Sequence, residues 1–105
     1  LGYRDTDYGH ILENIVHLEL KRKGYNISIG KIATKEIDFV ATKANEVIYF
    51  QVSSNTNDKE TLEKELAPFD LTKDHYPKIL ITADFDYATS YNGIKKINIM
   101  NEKLL

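Results

Sequence analysis

The rest of the chain is organised around the stretch KEIDFVATKANEVIYFQVS, residues 35–53. Both of its ends are rich in β-branched and aromatic residues, and its middle is polar, so it predicts an antiparallel hairpin. Counting outward from a turn at residues 44–45 places Val40 opposite Tyr49. The centre of the hairpin is apolar on both faces, which is typical of strands inside a layered α/β domain.

Polar side chains gather at the open end of this hairpin. Opposed residues of an antiparallel pair share a face of the sheet, so four polar side chains are expected on one side: Glu36, Asp38, Gln51 and Ser53. The same alternation predicts an apolar face made of Ile37, Phe39, Ile48, Phe50 and Val52. An acidic and amide cluster beside buried strands requires an explanation, because burying a charge is costly unless it is paired or binds a cation.

Length and composition exclude several classes of protein. The chain has 105 residues, enough for one domain, and 42% of them are hydrophobic, too many for a disordered chain. The absence of cysteine excludes a disulfide scaffold and a thiolate metal site, and it suits a cytoplasmic protein. No apolar run reaches the ~18 residues of a membrane span, so no membrane partner is expected. With a net charge of −2, nucleic-acid binding requires a local basic patch.

The residues before the hairpin predict a helix and a strand. We expect a helix over residues 8–23, with Asp7 as its N-cap and with one apolar stripe facing the core. That stripe comprises Leu12, Val16 and Leu20, widened by Ile11, Ile15 and Leu18. Two carboxylates, Glu13 and Glu19, lie beside or within it. A first strand is expected over residues 25–31.

The residues after the hairpin predict a second helix and two more strands. The helix is expected over residues 59–67, capped by Asp58 and ended by Pro68. Strands are expected over residues 78–83 and 94–100. The whole order is α-β-β-β-α-β-(β), a mixed sheet with a helix on each face.

These elements resemble a known family. The residues that carry the likeness are GHILENIV at 9–16, LEL at 18–20, EIDFV at 36–40 and QVS at 51–53. The stretches at 36–40 and 51–53 resemble the PD-(D/E)XK, or restriction-endonuclease-like, superfamily. Within it, the first three stretches are similar to the C-terminal domain of unknown function of bacterial and archaeal AAA-type ATPases. The likeness covers nearly the whole chain. It implies that residues 1–105 form a single restriction-endonuclease-like domain, the C-terminal part of a larger ATP-binding protein.

The resemblance implies a nuclease-like site. Glu13 takes the place of the first-helix carboxylate, Asp38 that of the motif aspartate, and Gln51 that of the second acidic ligand. Mg²⁺ prefers such hard oxygen ligands. Ser53 stands where the nuclease has its lysine, and a serine cannot stabilise a charged transition state. A replacement lysine would have to come from Lys35, Lys59 or Lys64.

Three functions are therefore expected from the sequence. The first is a non-catalytic accessory domain that contacts the ATPase domain, another protein or nucleic acid; ATP itself would bind only in the ATPase portion, because no GxxxxGK[ST] loop is present. The second is a Mg²⁺-dependent nuclease with a migrated lysine. The third is a nucleic-acid-binding module without catalysis. An edge strand also offers a way for two copies to pair as a homo-oligomer.

Several other polar and aromatic residues have ordinary explanations. His10, His17 and His75 lack metal-ligand spacing. The basic run at 21–23 suits a helix C-terminus as well as it suits phosphate. Tyr87 and Tyr91 are candidates for stacking on bases or for covering the sheet edge.

Overall fold

The computed structural model describes residues 5–54, 59–83 and 90–99. They form the predicted α/β arrangement, a mixed sheet with two helices. The elements are α1 (Asp5–Arg22), β1 (Asn26–Ile32), β2 (Lys35–Lys43), β3 (Glu46–Ser53), α2 (Lys59–Asp70), β4 (Lys78–Thr82), β5 (Ser90–Tyr91) and β6 (Ile94–Asn98). The sheet order is β1-β2-β3-β4-β6-β5, antiparallel from β1 to β3, parallel across β3, β4 and β6, and antiparallel between β6 and β5.

The central hairpin has the predicted register. Val40 pairs with Tyr49, and Lys43 pairs with Glu46 across the turn. Ala44 adopts a φ of 53° in that turn, a left-handed conformation that closes a two-residue connection. Local sequence therefore determines this part of the sheet.

Each face of the sheet has its own apolar core. On one face, Leu12, Val16 and Leu20 of helix α1 belong to a core that also contains Phe50 of β3 and Ile81 of β4. Helix α2 covers the other face, where Phe69, Leu80 and Ile94 are buried with the partly buried Leu62 and Leu66. The hairpin is thus enclosed between the two helices, as its two apolar faces predict.

The helix boundaries differ from the prediction. Helix α1 begins at Asp5, so Asp7 lies inside it and the N-cap prediction is wrong. Helix α2 continues through Pro68 to Asp70, because a proline near a C-terminus removes only one intrahelical hydrogen bond, and Phe69 beyond it is buried against the sheet. The predicted cap Asp58 lies outside the described residues. Among those residues, neither helix is long and apolar enough to cross a membrane.

The apolar stripe of α1 is narrower than predicted. Leu12, Val16 and Leu20 are buried, but the side chains expected to widen the stripe are exposed: 43% for Ile11, 47% for Ile15 and 70% for Leu18. The prediction that they face the core is wrong. Helix α1 contacts the sheet chiefly over β1 and β3, so only one narrow side of the helix is covered.

A β-bulge interrupts strand β2 where the polar cluster begins. Ser28 pairs with Val40 but Gly30 pairs with Ile37, so Asp38 and Phe39 together oppose the single residue Ile29. The extra residue reverses the alternation of side chains. Ile37 consequently joins the core beneath α2. The predicted shared face of Ile37 and Phe39 is wrong for this reason.

Gly30 allows the strands to approach at this bulge. A Cβ atom at Gly30 would lie 2.9 Å from Cγ2 of Val40 and 3.1 Å from Cβ of Ile37. We expect Gly30→Ala to lower the free energy of unfolding by about 1–2 kcal/mol, because a β-branched side chain and a backbone-attached carbon have to move. Urea unfolding measures this loss.

Gly9→Ala is the matched control for that substitution. A Cβ atom at Gly9 meets nothing within 4 Å, and alanine in a helix is favoured over glycine, so a gain of about 0.5–1 kcal/mol is expected. Equal effects of the two substitutions would contradict the close approach at Gly30.

Candidate functional site

The candidate site begins with a pair of side chains that replace the sheet ladder beside the bulge. Regular pairing of β2 with β3 extends from Lys43 to Phe39. Beyond it, the Asp38 N–H donates to Oε1 of Gln51 at 2.6 Å, and the Val52 N–H donates to Oδ2 of Asp38 at 2.9 Å. The two predicted site residues therefore hold the end of the hairpin together.

Gln51 also joins the hairpin to helix α2. Its side chain is 3% exposed. Its Nε2 donates to the backbone carbonyl of Glu65 at 3.0 Å and, over a longer distance of 3.4 Å, to that of Glu36. A buried amide that satisfies both its oxygen and its nitrogen in this way specifies how α2 sits on the sheet.

Three carboxylates near this amide interact through their charges. Burial raises the pKa of Asp38 to about 6; the Val52 N–H acts in the opposite direction, and the negative charges of Glu13 and Glu36 raise it further. Burial likewise raises the pKa of Glu65 to about 7, and Asp38 and Glu13 add to that increase. We call Glu13, Asp38 and Glu65 the acidic cluster. Its members repel one another when they are ionised.

Glu65 was not singled out from the sequence as a site residue. It lies on α2 three residues after Leu62 and four before Phe69, which is the spacing of one helix face. Leu62 and Phe69 both belong to the core under this helix. A glutamate on an otherwise apolar helix face is the feature of the sequence that could have identified Glu65 as a candidate site residue.

Ser53 lies at the end of β3, where it is 7% exposed and pairs with Thr82 of β4. The lysines proposed to replace the nuclease lysine are exposed, and Lys59 lies 4.0 Å from Glu63. Lys64 lowers the pKa of Glu65, but its effect is smaller than those of burial, Asp38 and Glu13, which all raise it. The two charged side chains that shift the pKa of Asp38, Glu13 and Glu36, are both negative.

Another carboxylate, the partly buried Asp74, is paired with a cation. Asp74 accepts hydrogen bonds from the Tyr49 hydroxyl at 2.7 Å and from Lys78 Nζ at 3.2 Å. Lys78 also lies over the Tyr49 ring. The acidic cluster has no comparable pairing of a carboxylate with a lysine among the hydrogen bonds and ion pairs of the described residues.

The acidic cluster, as arranged, does not fit a metal ion. Within residues 5–54, 59–83 and 90–99, no three histidine or acidic side chains are placed to hold one. One carboxylate oxygen of Asp38 and the side-chain oxygen of Gln51, both of which could bind Mg²⁺, accept backbone N–H groups instead. No catalytic step through a metal follows from this arrangement.

The other candidate residues have structural surroundings of their own. Glu19 pairs with Arg22 one turn later, which lowers the pKa of the carboxyl. The His17 ring contacts the Phe39 ring at 5.8 Å. Tyr91 forms part of β5, with Lys96 Nζ 5.9 Å from its ring centre. Tyr87 lies outside the described residues.

The fold and the cluster together define a mixed α/β domain whose central hairpin carries an acidic and amide cluster between two helices. The family is shown by the sequence as a whole. The chain belongs to the DUF4143 family, a domain of unknown function whose family model matches residues 8–101.

A curated relative is much longer than this chain. An uncharacterized protein of Haemophilus influenzae is 38% identical over 105 residues, which cover 96% of this chain and 24% of that protein. The chain therefore spans about a quarter of the length of the curated relative that it matches. No solved structure matches the chain.

Proposed function

We propose that this chain is a non-catalytic accessory domain of a AAA-type ATP-binding protein, with a restriction-endonuclease-like fold, and that it mediates protein contacts. One observation carries the proposal. The residues at the nuclease motif positions, Asp38 and Gln51, direct their side-chain oxygens to backbone N–H groups of their own hairpin. Ser53 in the lysine position supports the same conclusion, because it supplies no positive charge.

The acidic cluster favours a protein partner over nucleic acid. The negative charges of Glu13 and Glu36 act on Asp38, and those of Asp38 and Glu13 act on Glu65. Negative charge at this end of the hairpin would repel a phosphate backbone, since nucleic-acid binding depends on lysine and arginine side chains that replace counterions. The net charge of −2 adds no compensating attraction.

The competing function is a Mg²⁺-dependent nuclease. It is favoured by the negative charges of Glu13 and Asp38, which act on Glu65, since divalent cations bind carboxylates. It requires both a rearrangement of Asp38 away from the Val52 N–H and a lysine from elsewhere. The accessory role requires neither change.

Cleavage of single- and double-stranded DNA in Mg²⁺ and in Mn²⁺ tests the proposal. We expect no cleavage above that of Asp38→Ala, and we expect about 10 mM Mg²⁺ to change the unfolding temperature by less than about 1 °C, because no three acidic or histidine side chains of the described residues are placed to hold the ion. Asp70→Ala, which removes an exposed carboxylate, is the matched control. Metal-dependent cleavage that Asp38→Ala abolishes and Asp70→Ala retains would establish the nuclease instead.

A further inference from the structure

Helix α1 presents a second apolar stripe to solvent. Its members are exposed by 50% for Tyr8, 43% for Ile11, 47% for Ile15 and 70% for Leu18. We call these four residues the α1 stripe. Isolated exposed apolar residues are ordinary, but a continuous row of large ones marks an interaction surface.

The spacing of the α1 stripe is that of a helix–helix contact. Successive members are three, four and three residues apart. Two heptads of apolar residues in this 3-4-3 pattern form the narrow seam that a second helix packs against. The residues that hold α1 on the sheet, Leu12, Val16 and Leu20, form a separate row beside it. One helix therefore carries two apolar rows, and the sheet uses one of them.

We propose that the α1 stripe docks an amphipathic helix from another part of the same, longer polypeptide. This inference rests on the proposed accessory role. The partner helix carries apolar side chains at three- and four-residue spacing. It carries acidic residues opposite the last turn of α1, where the exposed Lys21 lies at the negative end of the helix dipole.

The area of the α1 stripe decides between this partner and a second copy of the chain. Four side chains exposed to this extent offer on the order of 400 Å² of apolar surface, whereas a stable interface between separate molecules buries about 800 Å² per partner. Contacts between domains of one polypeptide are stable with about 600–1,500 Å² in total, because the link keeps the local concentration high. The area of the α1 stripe therefore suits a contact within one polypeptide better than an interface between two separate molecules.

The length of the relative supports the same choice. The Haemophilus influenzae protein matches this chain over 24% of its own length. A polypeptide of that size has ample chain outside the domain to supply one helix.

Thiol labelling of the longer protein tests the proposal. Residues 1–105 contain no cysteine, so Leu18→Cys introduces a single reporter here, and mass spectrometry of its peptide follows the labelling. His10→Cys is the matched control, because His10 is exposed and lies about 120° around α1 from the centre of the stripe. We expect the thiol at position 18 to react at least about tenfold more slowly than that at position 10. Equal rates would overturn the proposal.

Two further measurements identify what covers the stripe. Protection that is unchanged by dilution supports a partner in the same polypeptide, while protection lost on dilution would show a second copy and overturn the proposal. Adding Ile11→Glu to Leu18→Cys is expected to restore fast labelling, because the new charge prevents docking and position 11 is partly exposed in the domain. Labelling that stays slow in the double variant would also contradict the docking.

The labelling experiment and the DNA cleavage experiment test different proposals, so one proposal can fail without the other. Equal labelling rates without DNA cleavage would remove this docking surface and leave the accessory role. DNA cleavage with a protected stripe would remove the accessory role and leave the docking surface.

Discussion

Gln51→Met is expected to lower the free energy of unfolding by about 2–4 kcal/mol. Methionine has nearly the same length and shape as glutamine, so the packing volume is preserved. What is lost is the acceptor for the Asp38 N–H at 2.6 Å and the donor to the Glu65 carbonyl at 3.0 Å. Each buried backbone group left without a partner costs about 1–3 kcal/mol. Urea unfolding measures the total.

Hydrogen exchange locates the damage. The Asp38 amide and the amides of α2 are expected to exchange faster in Gln51→Met, because the side chain joins both to β3. Asn26→Met removes an exposed amide from edge strand β1 and is the matched control, with an expected change within about 0.5 kcal/mol. A loss below about 1 kcal/mol in Gln51→Met would show that the Gln51 network contributes little to stability.

The acidic cluster is expected to make the domain less stable at pH 8 than at pH 5. The pKa of Asp38 rises from 3.8 to about 6 on folding, and that of Glu65 from 4.5 to about 7. A carboxyl whose pKa is raised in the folded state binds its proton more tightly there, so it contributes stability below its unfolded pKa. That contribution is lost as the pH rises through about 6 for Asp38 and about 7 for Glu65.

Glu65→Gln isolates this effect. At pH 8 the substitution removes a poorly solvated charge that faces Asp38 and Glu13, and we expect a gain of about 1–2 kcal/mol in the free energy of unfolding, reduced from the full linkage value because water reaches part of the carboxyl. At pH 5, where Glu65 is protonated in the folded state, no gain is expected. Urea unfolding at both pH values measures the difference.

Glu63→Gln on the exposed side of α2 is the matched control for that measurement. Its side chain is 68% exposed, so its removal is expected to change stability by less than about 0.5 kcal/mol at either pH. If Glu65→Gln were destabilising at pH 8, the carboxylate would have to be compensated by a cation. If Mg²⁺ also raised the free energy of unfolding of the unsubstituted domain but not that of Glu65→Gln, the result would point to the nuclease.

Much of the fold follows from the sequence alone. The register of the central hairpin, the buried row Leu12, Val16 and Leu20, and the strand over residues 78–82 depend on turn chemistry and on periodicity along a single element. Both are properties of neighbouring residues, so they can be read without knowing what packs against the element. The proximity of Asp38 and Gln51 follows as well, because counting outward from the turn places them opposite each other, although side-chain hydrogen bonds replace the regular pairing there.

Tertiary structure alone decided the remaining features. Glu65 reaches the acidic cluster only because α2 crosses the hairpin. The bulge at Asp38 moves Ile37 to the other face, and it arises from the pairing of β2 with β1, not from the hairpin itself. The exposure of Ile11, Ile15 and Leu18 depends on how much of α1 the sheet covers. Each is set by contacts between distant segments, which no local pattern of residues encodes.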